Sequence, residues 1–150
     1  MITHPQEDVK GYFSGIIPED IPKYWDELAN LLEKPLAKTD SAKYYTPDDI
    51  LWKCVNQDWQ CWIAWSDKID AVFTTYVSTY PTGYKTFTIN FVGGEKMYEW
   101  LPTAWNTFKA FADENSCNEI VGLGRRGWLR ALTKVEDSKF EEKLTFSVEI

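Results

Sequence analysis

The sequence predicts a single α/β domain whose mixed, mostly antiparallel central sheet is flanked by helices, in the order ααβββαβαβ. Three observations predict this fold. Apolar residues recur at helical spacing in two early stretches and one later stretch, short alternating stretches lie between turns, and a strand enters the long helix through Gly93-Gly94. With 150 residues, of which 44% are hydrophobic, the chain can bury roughly two-thirds of its unfolded surface as one domain, residues 1–150.

The first fifteen residues have no sustained period and include Pro5, Gly11 and Gly15. We therefore expect residues 1–15 to form an N-terminal arm rather than an element of the core. The opening residues also lack the basic and apolar regions of a secretory signal, and no apolar run is long enough to span a membrane. A soluble, unsecreted protein is the expectation.

Two helices are predicted before the sheet. The first begins at Pro18, and Pro35 is expected to end or kink it. One face of this helix carries its apolar residues, which are Ile21, Tyr24, Trp25, Leu28, Leu31 and Leu32. The second helix begins at Thr46-Pro47-Asp48-Asp49, where a hydroxyl cap, a first-turn proline and a carboxylate at the third position coincide.

Three strands are predicted next, at Gln60 to Trp65, Ile69 to Tyr80 and Lys85 to Val92, and turns between them favour an antiparallel meander. Alternation in the third strand predicts that Phe87, Ile89 and Phe91 share one face. In the first strand Trp62 should face away from Trp59 and Trp65, so that large aromatic rings lie on both faces. Either helices on both faces or a docked partner on one would cover them.

The second half of the chain is predicted to begin with the long helix. Pro102 falls inside its pattern, so the helix either kinks there or begins just before it. A buried strand at Asn118 to Leu123 and a short helix at Arg126 to Leu132 should follow. Alternation at Phe140 to Ile150 predicts a closing strand.

Composition excludes several classes of function. A net charge of -7 and a pI near 4.7 argue against a general nucleic-acid binder, because affinity for phosphate backbones needs clustered Lys and Arg. Three cysteines without CxxC spacing and the single His4 predict no metal site and buried thiols. Aromatic residues make up 16% of the chain, more than a core of this size needs, and favour binding to a partner or ligand.

Several motifs resemble a known fold family. They are Gly93-Gly94, Trp100-Leu101-Pro102, Ala112, Cys117 and Gly124-Arg125-Arg126-Gly127-Trp128. With the element order, they resemble the Gcn5-related N-acetyltransferase (GNAT) fold, and more closely a group of bacteriophage-encoded proteins built on it. The resemblance covers roughly Pro47 to Leu132. The resemblance implies that the gene for this protein lies near phage head and tail genes. Fold analogy alone does not establish an activity.

The resemblance also implies a cofactor site that this chain matches in part. Active members open the long helix with Gln/Arg-x-x-Gly-x-Gly/Ala, whose amides hold the pyrophosphate of coenzyme A; here the loop reads Phe91 to Lys96. Glu95 places a negative charge where a phosphate would lie, and Lys96 offsets part of it. Gly93, Gly94 and Lys96 are the candidate cofactor-binding residues, unless Gly93-Gly94 serve only as a turn.

Catalytic residues are not predicted. The resemblance implies a carboxylate base near the middle strands and a tyrosine acid after the short helix, but the sequence has no tyrosine after Tyr98. Asp70 is a possible base, although a charged residue beside a turn is expected to be solvated. We therefore expect no cofactor, with acetyl-coenzyme A as the alternative.

The basic corner is formed by Arg125 and Arg126, with Arg130 one turn on. A guanidinium can bind a phosphate or an acidic patch on another subunit, or these arginines pair internally with Glu136 and Asp137 while Trp128 fills the core. The candidate partner-binding residues are Tyr12, Phe13, Trp59, Arg125, Arg126 and Trp128.

The sequence leads to one main hypothesis about function and two alternatives. The main hypothesis is a phage virion structural or assembly protein that binds portal or head-tail components, located in the virion and, during assembly, in the host cytoplasm. The first alternative is an acetyl-coenzyme-A-dependent N-acetyltransferase. The second is a host-directed phage inhibitor.

Overall fold

The structure, a computed structural model, describes residues 11–124, 126–136 and 140–150. Its strands are β1 Tyr12–Ile16, β2 Gln60–Trp65, β3 Ile69–Thr79, β4 Lys85–Gly94 and β5 Glu119–Gly122. Its α-helices are α1 Trp25–Lys38, α2 Pro47–Val55, α3 Met97–Glu114 and α4 Arg126–Leu132, and two 3₁₀ helices span Pro18–Tyr24 and Asp40–Lys43. None of the helices within these ranges is long and apolar enough to cross a membrane.

The strands form one five-stranded sheet in the order β1-β2-β3-β4-β5. The first four strands pair antiparallel with their neighbours, and β5 pairs parallel to β4. The predicted meander is therefore confirmed, and so is the mixed, mostly antiparallel sheet. The helix α3 connects β4 to the parallel strand β5, as a parallel pair requires a crossover.

Strand β1 was not predicted. Residues 12–16 pair with β2 from Tyr12 opposite Trp65 to Ile16 opposite Cys61, so this part of the predicted arm is an edge strand of the sheet. Residues 1–10 of the predicted arm lie outside the described residues. The sequence does not predict this strand, because Ser14 and Gly15 within it weaken the β pattern.

The helix predicted from Pro18 is divided into a 3₁₀ helix and α1, and α1 does not end at Pro35. The helix continues to Lys38 with Pro35 inside it. Because proline has no N–H, the carbonyl of Leu31 lacks the partner that an α-helix would supply at this position. Burial of Leu28, Leu32 and Leu36 on one face holds the helix together past the proline.

The start of α2 is confirmed as a capping box. The Thr46 hydroxyl accepts from the Asp49 amide at 3.1 Å, and the Asp49 carboxylate accepts from the Thr46 amide at 2.8 Å. These two bonds satisfy donors that the helix geometry leaves without a partner. The carboxylate is thereby stabilised in its charged form, and the pKa of Asp49 is lowered by the bonds from the Thr46 backbone and side chain.

A register shift interrupts the alternation of β4. Thr74 lies opposite Phe91 and Thr75 lies opposite Ile89, so Asn90 is an extra residue in the ladder. The shift turns Phe91 to the opposite face from Phe87 and Ile89. The prediction that these three residues share one face is therefore wrong.

Each face of the sheet has its own hydrophobic core. On one face Trp65, Val72 and Phe91 pack against α1 and α2. On the other face Trp62 and Phe87 pack against α3 and α4. Helices thus cover both faces, and Trp62 lies opposite to Trp65 and Trp59 as predicted.

The elements after β4 agree with the predictions only in part. The long helix begins at Met97 and runs through Pro102. Strand β5 is only partly buried, whereas the sequence predicted a buried strand. Helix α4 has the predicted bounds. Residues 140–150 contain no strand, so the predicted closing strand is wrong for the described chain.

Candidate functional site

A fork opens between β4 and β5. The two strands pair only from Thr86 opposite Glu119 to Ile89 opposite Gly122, and the Leu123 amide then donates to the Ile89 carbonyl at 3.0 Å. Strand β4 continues to Gly94 while staying paired with β3. Within the described residues, the β5 side of Asn90–Gly94 therefore has no strand partner. Such an edge can bind an extended chain that carries amide groups.

The register shift lies at the point where β4 and β5 part. Asn90 is the extra residue, and its side-chain Oδ1 accepts a hydrogen bond from the Thr74 hydroxyl at 2.6 Å. A bulge re-aims the backbone and ends regular pairing at the same place. The bulge at Asn90 therefore helps to separate β4 from β5.

The fork leads to the start of α3. Lys96 precedes the helix in the left-handed conformation (φ 60°, ψ 35°), and it gives α3 no side-chain cap. The first amides of a helix have no partner inside the helix, and they carry the positive end of its dipole. The start of this 18-residue helix is therefore suited to an anion.

Gly93 and Gly94 are required by close packing. A Cβ at Gly93 would collide with the carbonyl oxygen of Leu31, the carbonyl that Pro35 leaves without its helical partner. A Cβ at Gly94 would collide with the Asp70 carbonyl and with Ala71, and Gly94 has a φ of 145°. The Glu95 amide then donates to the Asp70 carbonyl at 2.9 Å. Both glycines thus fit the turn against α1 and β3.

Asp70 is buried, contrary to the expectation that it is solvated. Its Oδ2 accepts from the Ser66 hydroxyl at 2.8 Å, and its Oδ1 lies 3.5 Å from the Lys96 ammonium. The Lys96 side chain remains 44% exposed. Removing the cationic neighbour of a buried carboxylate is strongly unfavourable, because it leaves a buried charge uncompensated. Lys96 is therefore held at the start of α3 by a residue of β3.

Two tryptophans connect the start of α3 to α4. The Trp100 indole donates to the Glu95 carbonyl at 2.6 Å, and its ring stacks on Trp128 at 6.1 Å between centroids. Trp100 also contacts Phe73 edge-on at 4.9 Å. In the sequence, Trp100 is recognisable only as part of the motif Trp100-Leu101-Pro102. Its role in fixing the Glu95 turn could not be read from spacing.

The aromatic candidates for partner binding make contacts inside the domain. Tyr12 stacks on Trp65 at 4.7 Å, and Phe13 contacts Trp62, Phe73 and Phe108. Trp59 lies among Tyr45, Tyr76 and Phe91. These rings and Trp128 are partly buried. Their packing accounts for part of the aromatic surplus.

The basic corner is described only in part. Arg125 and the side chain of Arg126 lie outside the described residues, as does Asp137. Glu136, one of the acids expected to pair with these arginines, accepts from the Trp105 indole and from the Lys109 ammonium, each at 2.7 Å. These bonds join the segment that follows α4 to α3.

A separate cavity of about 370 Å³ lies near the beginning of β2. Gln57, Trp59, Gln60 and both buried thiols, Cys54 and Cys61, are among its lining residues. The contact with the Cys54 side chain and burial raise the pKa of Cys61 well above its ordinary value. Over residues 11–124, 126–136 and 140–150, no three metal-ligating side chains come together.

Comparisons with solved structures identify similar folds. An aminoglycoside acetyltransferase from an uncultured soil metagenomic sample, in complex with trehalose, has a TM-score of 0.72 at 13% identity, over 97% of this chain and 99% of that chain. A ribosomal-protein-alanine N-acetyltransferase from Brucella melitensis biovar Abortus has a TM-score of 0.66 at 14% identity, over 93% and 99%. A predicted acetyltransferase from Clostridium acetobutylicum, solved with acetyl-CoA, has a TM-score of 0.64 at 16% identity, over 91% and 96%. No family model and no curated protein sequence matches the chain.

The chain therefore has a GNAT-like fold, as the resemblance predicted. The interpretation as a virion structural or assembly protein is wrong. Three structures that are named acetyltransferases share the fold over 91–97% of this chain, and none of the three is a virion component.

Proposed function

We propose that this chain is an acetyl-coenzyme-A-dependent N-acetyltransferase. The observation that carries the proposal is the fork between β4 and β5, which leads directly to the uncapped start of α3. An open strand edge and a helix N-terminus in series suit a ligand that has amides along one part and phosphates at the other. Coenzyme A combines these two features.

The residues present fit coenzyme A at both parts. The backbone of Asn90–Gly94 offers an unpaired edge to the two amides of the pantetheine arm. The first amides of α3 and the half-exposed ammonium of Lys96 suit the diphosphate. Glu95, Glu99 in the first turn of α3 and the bond from the Glu95 amide to Asp70 all reduce this fit. The amides of Met97 and Tyr98, the first residues of the helix, are the ones proposed to face the diphosphate.

Acetyl-coenzyme A, when bound, would supply the acetyl thioester. The chain's residues orient it: the β4 edge fixes an extended arm, and the bulge at Asn90 marks where that edge parts from β5. Trp100 holds the Glu95 carbonyl, so that the turn before α3 keeps its shape when a phosphate binds. Because the sequence has no tyrosine after Tyr98, the acid role that the resemblance assigns to a tyrosine after the short helix falls to another group.

The acceptor that this proposal favours is a cationic amine. The net charge of -7 attracts cations and repels anions over distances of about one Debye length, roughly 8 Å at physiological salt. The similar structures include an aminoglycoside acetyltransferase and a ribosomal-protein-alanine acetyltransferase, and both names refer to amine acceptors.

The resemblance to phage-encoded members of the fold supports a phage origin, as a proposal that rests on the motifs.

An acetyl-transfer assay tests the proposal. The protein is incubated with acetyl-coenzyme A and, in separate reactions, an aminoglycoside, a polyamine and a peptide with an N-terminal alanine. We expect mass spectrometry to detect one added acetyl group on at least one acceptor, at a rate proportional to protein concentration. Lys96→Gln should slow transfer, whereas Lys68→Gln, an exposed change in the turn between β2 and β3, should not. Transfer that is equal in all three proteins would contradict the assigned site.

A further inference from the structure

Two tryptophans and a proline form a shallow pocket where the first 3₁₀ helix, α1 and α2 meet. Pro22, Trp25 and Trp52 line this pocket, which has a volume of about 200 Å³. The two indole rings contact each other edge to face, with their centroids 5.2 Å apart and their planes at 60°. Trp52 is 55% exposed, although tryptophan is highly buried on average. The pocket therefore presents aromatic surface to a ligand from solvent.

A carboxylate stands at the edge of the pocket. Oδ1 of Asp48 accepts a hydrogen bond from the Trp25 indole N–H at 2.7 Å. Asp48 also precedes Trp52 by four residues in α2, so these two side chains are neighbours on the surface of the helix. A carboxylate has about four acceptor positions, so the bond to Trp25 leaves most of this capacity for a cation. Asp48 is thus placed beside both rings.

The charges around the pocket favour a cationic ligand. Both α1 and α2 begin beside it, and the N-terminus of a helix carries roughly half a positive charge. Each first turn, however, holds two acids, which are Asp26 and Glu27 in α1 and Asp48 and Asp49 in α2. These carboxylates outweigh the two helix dipoles. The rim of the pocket is therefore negative, as is the whole chain with its net charge of -7.

Two lysines are next in sequence to residues of the pocket, and both are engaged elsewhere. The Lys23 ammonium lies 3.0 Å from the Asp20 carboxylate. The Lys53 ammonium lies 5.9 Å from the ring centroid of Trp59 and 4.0 Å from the Asp58 carboxylate. Neither lysine places its charge on the two rings of the pocket. Those rings are therefore accessible to a cation from outside the chain.

We propose that this pocket binds the quaternary ammonium group of a small molecule. The face of a tryptophan attracts a cation that lies within about 6 Å of the ring centroid, and loss of water strengthens the attraction. The side chains that line the pocket offer no acceptor apart from Asp48 at its edge, so a primary ammonium would lose bonds to water that the pocket does not replace. A quaternary ammonium has no N–H to satisfy. It therefore matches both the apolar walls and the negative rim.

The size and the walls of the pocket favour a small molecule over a peptide. Pockets for drug-sized ligands measure about 300–1,000 Å³, so a pocket of about 200 Å³ suits a smaller group. Its walls are the sides of helices, whereas an extended peptide binds at an unpaired strand edge and a helical peptide in a long apolar groove. The inference does not rest on the proposed acetyl transfer, since no residue of the pocket belongs to the fork or to the start of α3.

Titration with choline at constant ionic strength tests the proposal. The neutral alcohol 3,3-dimethylbutan-1-ol has the same shape as choline without its charge, and it serves as the matched ligand. We expect choline to shift the indole N–H signals of Trp25 and Trp52 in NMR spectra, with a dissociation constant in the low millimolar range. The neutral alcohol should bind about tenfold more weakly or less, because it lacks the attraction to the rings and to Asp48.

Substitutions locate the site. Trp52→Leu keeps an apolar side chain and removes the ring, so the dissociation constant for choline should rise about fivefold or more. Tyr80→Leu is the matched control, since Tyr80 is also 55% exposed but lies in the turn between β3 and β4. Asp48→Asn removes the charge and retains an acceptor for the Trp25 indole, and it should raise the dissociation constant about threefold. Circular dichroism checks that each variant is folded.

Four results would overturn the proposal. Equal affinities for choline and the neutral alcohol would show that the pocket is merely apolar. Absence of binding at about 100 mM choline would show that it is no site for this cation. Choline binding that Trp52→Leu leaves unchanged would place the site elsewhere. A peptide with a trimethylated lysine that binds at least about tenfold more tightly than choline would replace the small molecule with a protein ligand.

Discussion

The Lys96 ammonium lies 3.5 Å from Oδ1 of Asp70, a carboxylate that β3 buries beneath the start of α3. The backbone carbonyl of the same aspartate accepts from the Glu95 amide. Asp70 thus fixes both the turn before α3 and the cation that stands beside it. In the proposed coenzyme site, a phosphate at this helix start would compete with Asp70 for Lys96. This competition would lower the affinity for the phosphate.

Substitutions at this pair should change coenzyme affinity in opposite directions. Lys96→Gln removes a cation, so we expect the dissociation constant for coenzyme A to rise by about threefold to tenfold. Asp70→Asn removes the competing anion and leaves the backbone bond to Glu95 in place, so the dissociation constant should fall. Isothermal titration measures both, with Lys68→Gln as the control. Equal affinities in all four proteins would show that Lys96 does not contact the coenzyme.

Gly93→Ala should destabilise the domain by about 2 kcal/mol or more, because the new Cβ would collide with the carbonyl of Leu31 and force α1 away from β4. Gly122→Ala is the matched control, since a Cβ at Gly122 meets nothing within 4 Å. Urea unfolding measures both free energies. If the two variants were equally stable, the close approach of α1 to β4 would be incorrect.

Thr46→Ala should lower the unfolding free energy by about 1 kcal/mol, because it removes the acceptor for the first turn of α2. Ser41→Ala provides a comparison, since the Ser41 hydroxyl is not part of this capping box. Thermal unfolding monitored by circular dichroism reports the difference. Indistinguishable midpoints would contradict the capping geometry.

The capping carboxylate predicts a pH dependence. Bonds from Thr46 lower the pKa of Asp49 in the folded state below its value in the unfolded chain. Its contribution to stability is therefore complete above the unfolded pKa and is lost as the pH falls through the folded pKa. The stability difference between the parent chain and Asp49→Asn should shrink on acidification below about pH 4. A difference that is independent of pH would rule out the bond.

Native thiol reactivity should differ among the three cysteines. Cys54 and Cys61 are buried, and the contact with Cys54 and burial raise the pKa of Cys61, so neither should react readily with iodoacetamide in the folded protein. Cys117 is only partly buried and should react first. Mass spectrometry of peptides after timed alkylation measures the order. Early labelling of Cys61 would contradict its burial in β2 against Cys54 of α2.

Residue type and spacing predicted those parts of the fold that neighbouring residues in the sequence determine. The capping box at Thr46 and Asp49, the three strands of the meander and the bounds of α4 all follow from residue type and spacing. The bulge at Asn90 does not, because it depends on the register with β3, which no single strand encodes. The strand at Tyr12–Ile16 was missed for a similar reason, since pairing with β2 stabilises it.

The candidate site was predictable only in its location. The Gly93-Gly94 turn indicated the junction of β4 and α3, but the reason for both glycines lies in Leu31, Asp70 and Ala71, which are distant in sequence. Asp70 was expected in solvent because it follows a turn, whereas the turn before α3 covers it. The segment at 140–150 has the alternation of a strand, yet alternation does not specify which strand will pair with it.

Titration of the parent chain with acetyl-coenzyme A tests the central claim most directly. We expect saturable binding with a dissociation constant in the micromolar range, together with NMR shifts of the backbone amides of Asn90–Gly94 and of the first turn of α3. Absence of binding at millimolar acetyl-coenzyme A, or binding that leaves those amides unchanged, would contradict the assignment of the fork between β4 and β5 as a coenzyme site.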